Sequence, residues 1–118
     1  MKTVLIVDDE PAARYALRRA LESRYRIAEA DSAVAARAAL ATDNPDLVLL
    51  DVVMPERNGF QVCRELKGNT EFNAIPVILV TSKDTASDRY WGQQQGADGY
   101  VTKPFTREEL LRAVRRFA

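Results

Sequence analysis

Asp8 and Asp9 follow directly on the apolar run Thr3 to Val7, and Asp51 follows Leu47 to Leu50. Thr81 and Ser82 follow Val77 to Val80, and Lys103 comes just after Gly99 to Val101. If these runs are neighbouring strands, one sheet edge receives three carboxylates, a hydroxyl and an ammonium group. Crowded carboxylates repel, and their pKa values rise unless a cation intervenes. A hard divalent cation relieves that repulsion, and Mg²⁺ commonly takes one or two carboxylates together with phosphate oxygens. Lys103 can meet an incoming phosphoryl group as a point charge. Phosphoryl transfer asks mainly for positioning and charge neutralisation, and this set supplies both. Each piece alone has a plainer reading. An Asp-Asp pair after a strand is usually turn or cap chemistry, and a Thr-Ser pair is usually loop. The plainer reading does not account for their recurrence, in order, at four strand ends.

The elements that would position these residues are marked by periodicity and punctuation. Pro11 suits a first helical position, where its missing N–H costs nothing. Ala13, Ala16, Leu17, Ala20 and Leu21 then recur at helical spacing to about Arg24. A second strand is expected near Arg26 to Ala30, with Asp31 or Ser32 capping an Ala-rich helix. Asn44-Pro45 ends that helix, because the residue before proline is pushed out of the α region. The runs Leu47 to Leu50 and Val77 to Val80 are apolar without alternation, the pattern of strands buried on both faces. Helices are expected from about Gly59 to Lys67 and from about Ser87 to Gln95. Thr106 reads as an N-cap with Glu109 closing a capping box. The last helix then carries Leu110, Leu111, Val114 and Phe117.

Five strand–helix alternations predict an α/β fold, a flavodoxin-like (βα)5 three-layer sandwich with a parallel five-stranded sheet in the order 2-1-3-4-5. In such sheets ligands sit at the carboxyl ends of the strands, where the acidic residues fall. The 118 residues suit one domain, 1–118, without internal repeat or linker. Lys plus Arg and Asp plus Glu both number 17, which argues against non-specific nucleic-acid binding. One cysteine, Cys63, excludes an internal disulfide, and the absence of histidine excludes a His-dependent triad or a His-ligated metal within the chain. The N-terminal apolar run is too short for a signal peptide, and no run suits a membrane span. The expectation is a cytoplasmic protein that binds no membrane.

These residues resemble the receiver family of two-component response regulators, over essentially the whole chain. The likeness is carried by Val7-Asp8-Asp9-Glu10, by Leu49-Leu50-Asp51-Val52-Val53-Met54-Pro55 with Gly59, and by Ile78-Leu79-Val80-Thr81-Ser82. Gly96-Ala97-Asp98-Gly99-Tyr100 and Lys103-Pro104-Phe105 complete it. Each fragment is weak alone; in this order and spacing they are highly specific. The resemblance implies that Asp51 accepts a phosphoryl group from a sensor histidine kinase or a histidine phosphotransfer protein. It implies Mg²⁺ bound directly by Asp9 and Asp51, with the backbone carbonyl of Val53 as third protein ligand and Asp8 acting mostly through water. Lys103 would contact the phosphoryl oxygens and Thr81 would hydrogen-bond them. Tyr100 would be an aromatic switch that changes rotamer with Thr81. The Lys103-Pro104 bond would be cis, a form proline makes accessible.

A narrower likeness joins Lys83-Asp84, Trp91-Gly92 and Gln95-Gly96-Ala97 to receivers of twitching-motility (type IV pilus) systems. The fourth helix, fifth strand and fifth helix would form the output face. There Arg89, Asp98, Arg112, Arg115 and Arg116 would meet a downstream output protein or domain, or a second copy of the chain. Against that, a charged face is ordinarily only solvated. The expected activity is a signalling switch, not an enzyme beyond its own phosphorylation and dephosphorylation. The switch could stand alone or form the receiver part of a longer regulator. Aspartate-nucleophile phosphatases of similar fold use a second Asp two residues after the nucleophile; Val53 stands there, which speaks against that class. A receiver that is never phosphorylated is opposed by the complete acidic set.

Overall fold

The apolar runs form the sheet and the periodic segments cover it. In the computed structural model, which describes all 118 residues, the order is β1 Thr3–Val7, α1 Pro11–Leu21, β2 Arg26–Ala30, α2 Ala33–Asp43 and β3 Leu47–Leu50. It continues with α3 Gly59–Gly68, β4 Val77–Thr81, α4 Ala86–Gln94, β5 Gly99–Thr102 and α5 Arg107–Arg115. All strands are parallel, in the order β2-β1-β3-β4-β5. The central strands β1, β3 and β4 are buried at every position, as their unbroken apolar sequence requires.

Alternate residues of each strand face opposite helix layers. On one face Val4, Ile6, Leu47, Leu49, Ile78 and Val80 pack with Leu17 and Leu21 of α1 and Leu110, Leu111 and Val114 of α5. On the other, Leu5, Val7, Val48, Leu50, Val77 and Leu79 pack with Ala36 and Leu40 of α2 and Val62, Cys63 and Leu66 of α3. The sandwich is therefore three-layered. Burial pushes the Cys63 thiol up to about 11, with Lys67 opposing and Asp98 adding, so it packs as an inert apolar side chain.

Several local expectations are corrected. Helix α1 stops at Leu21, and Ala16 is exposed because the buried stripe runs through Leu17, Ala20 and Leu21. Ser32, not Asp31, caps α2 by accepting from the Ala35 amide at 3.1 Å. Thr81 is the last residue of β4 instead of the first loop residue, and Ser82 is exposed. Thr106 caps α5 through the Glu109 amide at 3.1 Å, but Glu109 returns no bond; the exposed Thr106 amide has water as an alternative partner. Phe117 lies past the end of α5 and packs partly buried against the α1/α5 layer. Complete capping boxes form instead at Asn58 with Gln61 and at Thr85 with Asp88.

Candidate functional site: an acidic cluster at the carboxyl edge of the sheet

Strand register sets the heights of the site residues. Val7 is level with Leu50, so Asp8 and Asp51 leave neighbouring strands together. Thr81 is level with Thr102, so Lys103 follows one step above. The ladder continues past the strand ends. The Asp8 amide donates to the Ala30 carbonyl at 3.1 Å, that of Asp51 to Val7 at 2.9 Å, and that of Lys103 to Thr81 at 2.9 Å. The site residues are thus fixed by backbone before any side chain acts.

Carboxylate oxygens of Asp8, Asp9 and Asp51 lie within 4.8 Å of one another. Asp8 and Asp51 are buried and Asp9 is half-buried. The ammonium of Lys103 stands 2.9 Å from Asp8 Oδ2 and 3.7 Å from Asp51 Oδ1. Asp8 Oδ1 accepts from the Glu10 amide at 3.0 Å. Burial, and then the neighbouring charge of Asp8, push Asp51 from its ordinary 3.8 up to about 6; Lys103 and the amides of Val53 and Val52 offset only part of this. Burial works against the charge on Lys103, but the hydrogen bond to Asp8 and the fields of Asp51, Asp8 and Glu10 outweigh it and hold its pKa above the ordinary lysine value.

Thr81 is fully buried, and its Oγ1 accepts from the Lys83 amide at 3.3 Å. Val53 leaves the site exposed, at 54% of its surface. The Lys103-Pro104 bond is cis. Gly59 permits the approach of α3 to the acidic loop. A Cβ there would collide with the Asp51 carbonyl oxygen and come 2.8 Å from Val52 Cα. The Gly59 amide donates to the Val52 carbonyl at 2.8 Å, which closes the loop carrying Val53 to Asn58. Within that loop Glu56 adopts φ 67°, a left-handed turn.

Tyr100 lies on β5 with its hydroxyl donating to the Lys83 carbonyl. The Arg89 guanidinium sits 5.0 Å over its ring and donates to Thr102 Oγ1 at 2.6 Å. Arg112 and Arg115 on α5 and Arg116 at its C-cap are exposed. Asp98 does not offer a free charge to that face. Its carboxylate accepts from the Val77 amide at 2.8 Å and from Lys67 Nζ at 2.7 Å, so it ties the turn before β5 to the start of β4. Sequence reasoning missed Arg14 and Glu29. Arg14 Nη1 donates to the Asp8 carbonyl at 2.7 Å, and its Nε lies 3.3 Å from Glu29.

A 2-1-3-4-5 parallel sheet whose carboxyl edge gathers an acidic trio and one lysine has the layout of a phosphoryl-handling signalling domain. Residues 4–115 match the response regulator receiver domain family, and the chain belongs to it. It is a receiver of two-component signal transduction. It is 44% identical over 115 residues to Protein PilH of Pseudomonas aeruginosa, covering 97% of this chain and 95% of that one. It is 42% identical over 113 residues to response regulator MprA of Mycobacterium tuberculosis, covering 95% of this chain but only 48% of MprA. Among solved structures, chemotaxis protein CheY4 of Vibrio cholerae superposes with a TM-score of 0.93 at 27% identity, covering 100% of this chain and 99% of that one. The signal receiver domain of a histidine kinase from Syntrophus aciditrophicus gives 0.90 at 35% identity, covering 99% of this chain and 89% of that one. No helix is long and apolar enough to cross a membrane.

Proposed function

We propose that Asp51 accepts the phosphoryl group, from a sensor histidine kinase or a histidine phosphotransfer protein. Asp9, Asp51 and the Val53 carbonyl would hold Mg²⁺, with Asp8 acting mostly through water. The observation that carries this reading is the gathering of three carboxylates within 4.8 Å, two of them within reach of Lys103. The donors are hard oxygens, and the raised pKa of Asp51 marks a charge that the protein alone leaves under-compensated. Both suit the ion. When bound, it supplies charge neutralisation to the carboxylates and to phosphate oxygens.

The protein's own residues divide the remaining work. An Asp51 oxygen attacks phosphorus, and the phosphorus–nitrogen bond to the donor imidazole breaks. Lys103 is anchored by Asp8 and meets the phosphoryl oxygens beside Asp51. Thr81 accepts from the Lys83 amide, which leaves its hydroxyl proton to donate to the phosphoryl group. Tyr100 and Arg89 then pass the change to the face formed by α4, β5 and α5. Arg112, Arg115 and Arg116 on that face are exposed, and their charge suits an acidic surface on the output protein or domain. The likeness at Lys83-Asp84, Trp91-Gly92 and Gln95-Gly96-Ala97, with 44% identity to PilH, supports the twitching-motility subgroup. A cytoplasmic location fits this role.

Acetyl phosphate with Mg²⁺ tests the reading without a kinase, because the site itself orients and neutralises the group. Intact mass is expected to rise by one phosphoryl group in the wild type and not in Asp51→Asn. Equal labelling of the two overturns the assignment.

A further inference from the structure

Every polar group of Asp8 is held by a different residue, two of them at the start of α1. Its amide donates to Ala30 at the end of β2, at 3.1 Å. Its Oδ1 accepts from the Glu10 amide at 3.0 Å and its Oδ2 from Lys103 at 2.9 Å. Its carbonyl accepts from Arg14 Nη1 at 2.7 Å. That carbonyl belongs to the peptide plane joining Asp8 to Asp9. Arg14 therefore grips the plane from which the Asp9 side chain springs.

Arg14 is itself oriented. It stands one turn into α1, its amide donating to the Glu10 carbonyl at 3.0 Å. Its Nε lies 3.3 Å from Glu29 Oε1, and Arg18 Nε donates to Glu29 Oε2 at 2.8 Å. Glu29 lies on β2 opposite Ile6 of β1. One carboxylate on the edge strand thus holds two arginines of α1, and the first of them fixes the acidic loop. The guanidinium can do this because its planar fork serves Glu29 and the Asp8 carbonyl at once; an ammonium offers one point charge and no fork.

We infer that Arg14, held by Glu29, is a positioning residue that presents Asp9 for cation binding. This rests on the reading that Asp9 and Asp51 bind Mg²⁺. Arg14 touches neither carboxylate, so it acts through the peptide plane. Loss of Arg14 leaves that plane free to tilt, and the cation then finds an unprepared cradle.

The test measures Mg²⁺ affinity calorimetrically in the full chain for wild type, Arg14→Ala, Arg14→Lys and Glu29→Gln. Exchange of the Glu10 amide in metal-free buffer is measured beside it. Arg14→Ala is expected to weaken Mg²⁺ binding about tenfold, as for loss of a supporting shell around a metal. Arg14→Lys is expected to recover less than half of that on a logarithmic scale, and Glu29→Gln to show a smaller loss. The Glu10 amide, which donates to Asp8 Oδ1, is expected to exchange faster in Arg14→Ala without metal, while phosphorylation at saturating Mg²⁺ stays within about threefold of wild type. Full rescue by Arg14→Lys shows that charge alone matters and overturns the inference, as does unchanged affinity in Arg14→Ala. Should Arg14→Ala fail to fold, unchanged affinity and exchange in Glu29→Gln overturn it equally. Absence of Mg²⁺ binding by the wild type would instead overturn the metal reading, so the two failures are told apart.

Discussion

The ammonium of Lys103 donates to Asp8 Oδ2 at 2.9 Å, joining the end of β5 to the end of β1 across 95 residues of chain. It stands farther from Asp51, at 3.7 Å, so it only partly offsets the burial and the Asp8 charge that raise the Asp51 pKa. Removing the ammonium leaves a carboxylate that is 1% exposed without its charged partner. Lys103→Met is expected to lower unfolding free energy in metal-free buffer by about 1–3 kcal/mol, discounted for the partial exposure of the lysine. Urea denaturation at neutral pH checks this; a midpoint equal to that of wild type opposes it.

Burial of Asp51, with the Asp8 charge beside it, sets a pH dependence. Asp51 titrates near 6 in the fold against an ordinary 3.8, so the folded state holds this proton more tightly than the unfolded chain does. The contribution is present in full below the unfolded value and is lost as pH rises through the folded one. Asp51→Asn removes it. In metal-free buffer the variant is expected to match wild type near pH 4 and to exceed it by on the order of 2 kcal/mol at pH 8. Thermal unfolding across that range measures the gap. Added Mg²⁺ is expected to narrow it by stabilising only the wild type. A gap that widens toward acid pH has the wrong sign.

Gly59 makes a structural demand on the same loop. A Cβ at this position meets the Asp51 backbone, which is fixed by its ladder bond to Val7 and has no flexible end to move aside. Gly59→Ala is expected to cost about 1–3 kcal/mol, the range for forcing atoms into a filled space. It is also expected to slow phosphorylation by acetyl phosphate, because relief must come from the loop that carries Asp51. Unaltered stability in urea with unaltered labelling would show that the loop yields freely.

The sheet was legible because unbroken apolar runs such as Leu47 to Leu50 have no other use than burial on two faces. The acidic edge was legible for the same reason: Asp8 and Asp51 end such runs, and strand order then decides that they meet. What could not be read were contacts made between elements far apart in sequence. The Lys67–Asp98 pair joins α3 to the turn before β5, and neither residue's neighbours announce it. Arg14 is one of three arginines in α1, and only the packing of β2 on β1 places Glu29 beside it. The capping boxes at Asn58 and Thr85 were readable but overlooked, since Asn-x-x-Gln and Thr-x-x-Asp stand in the sequence. Gly92 packs tightly on the sheet, where a Cβ would come 2.8 Å from Leu79 Cδ1 and 3.2 Å from Tyr100.

That packing bears on how a phosphoryl group could be sensed. Gly92 is the one buried residue of α4, so this helix rests on the sheet with little apolar anchorage. Polar ties hold it and its approach loop instead: the Tyr100 hydroxyl on the Lys83 carbonyl, and Arg89 over the Tyr100 ring and on Thr102. Elements of low burial open first and are shifted most readily. On the proposed reading, a phosphoryl group that drew Thr81 inward would move the strand end paired with Thr102 and disturb these ties, favouring a second packing of α4. Hydrogen exchange with Mg²⁺ and beryllofluoride, a phosphoryl mimic, is expected to change chiefly between Thr81 and Phe105. Tyr100→Phe deletes one tie and is expected to speed exchange from Lys83 to Ala86 without the mimic. Helix α2 has Ala36, Ala39 and Leu40 buried and packs over β2 and β1, at the far end of the sheet from β5, so its exchange is expected to stay constant. Changes centred on Ala33 to Asp43 would place the output elsewhere.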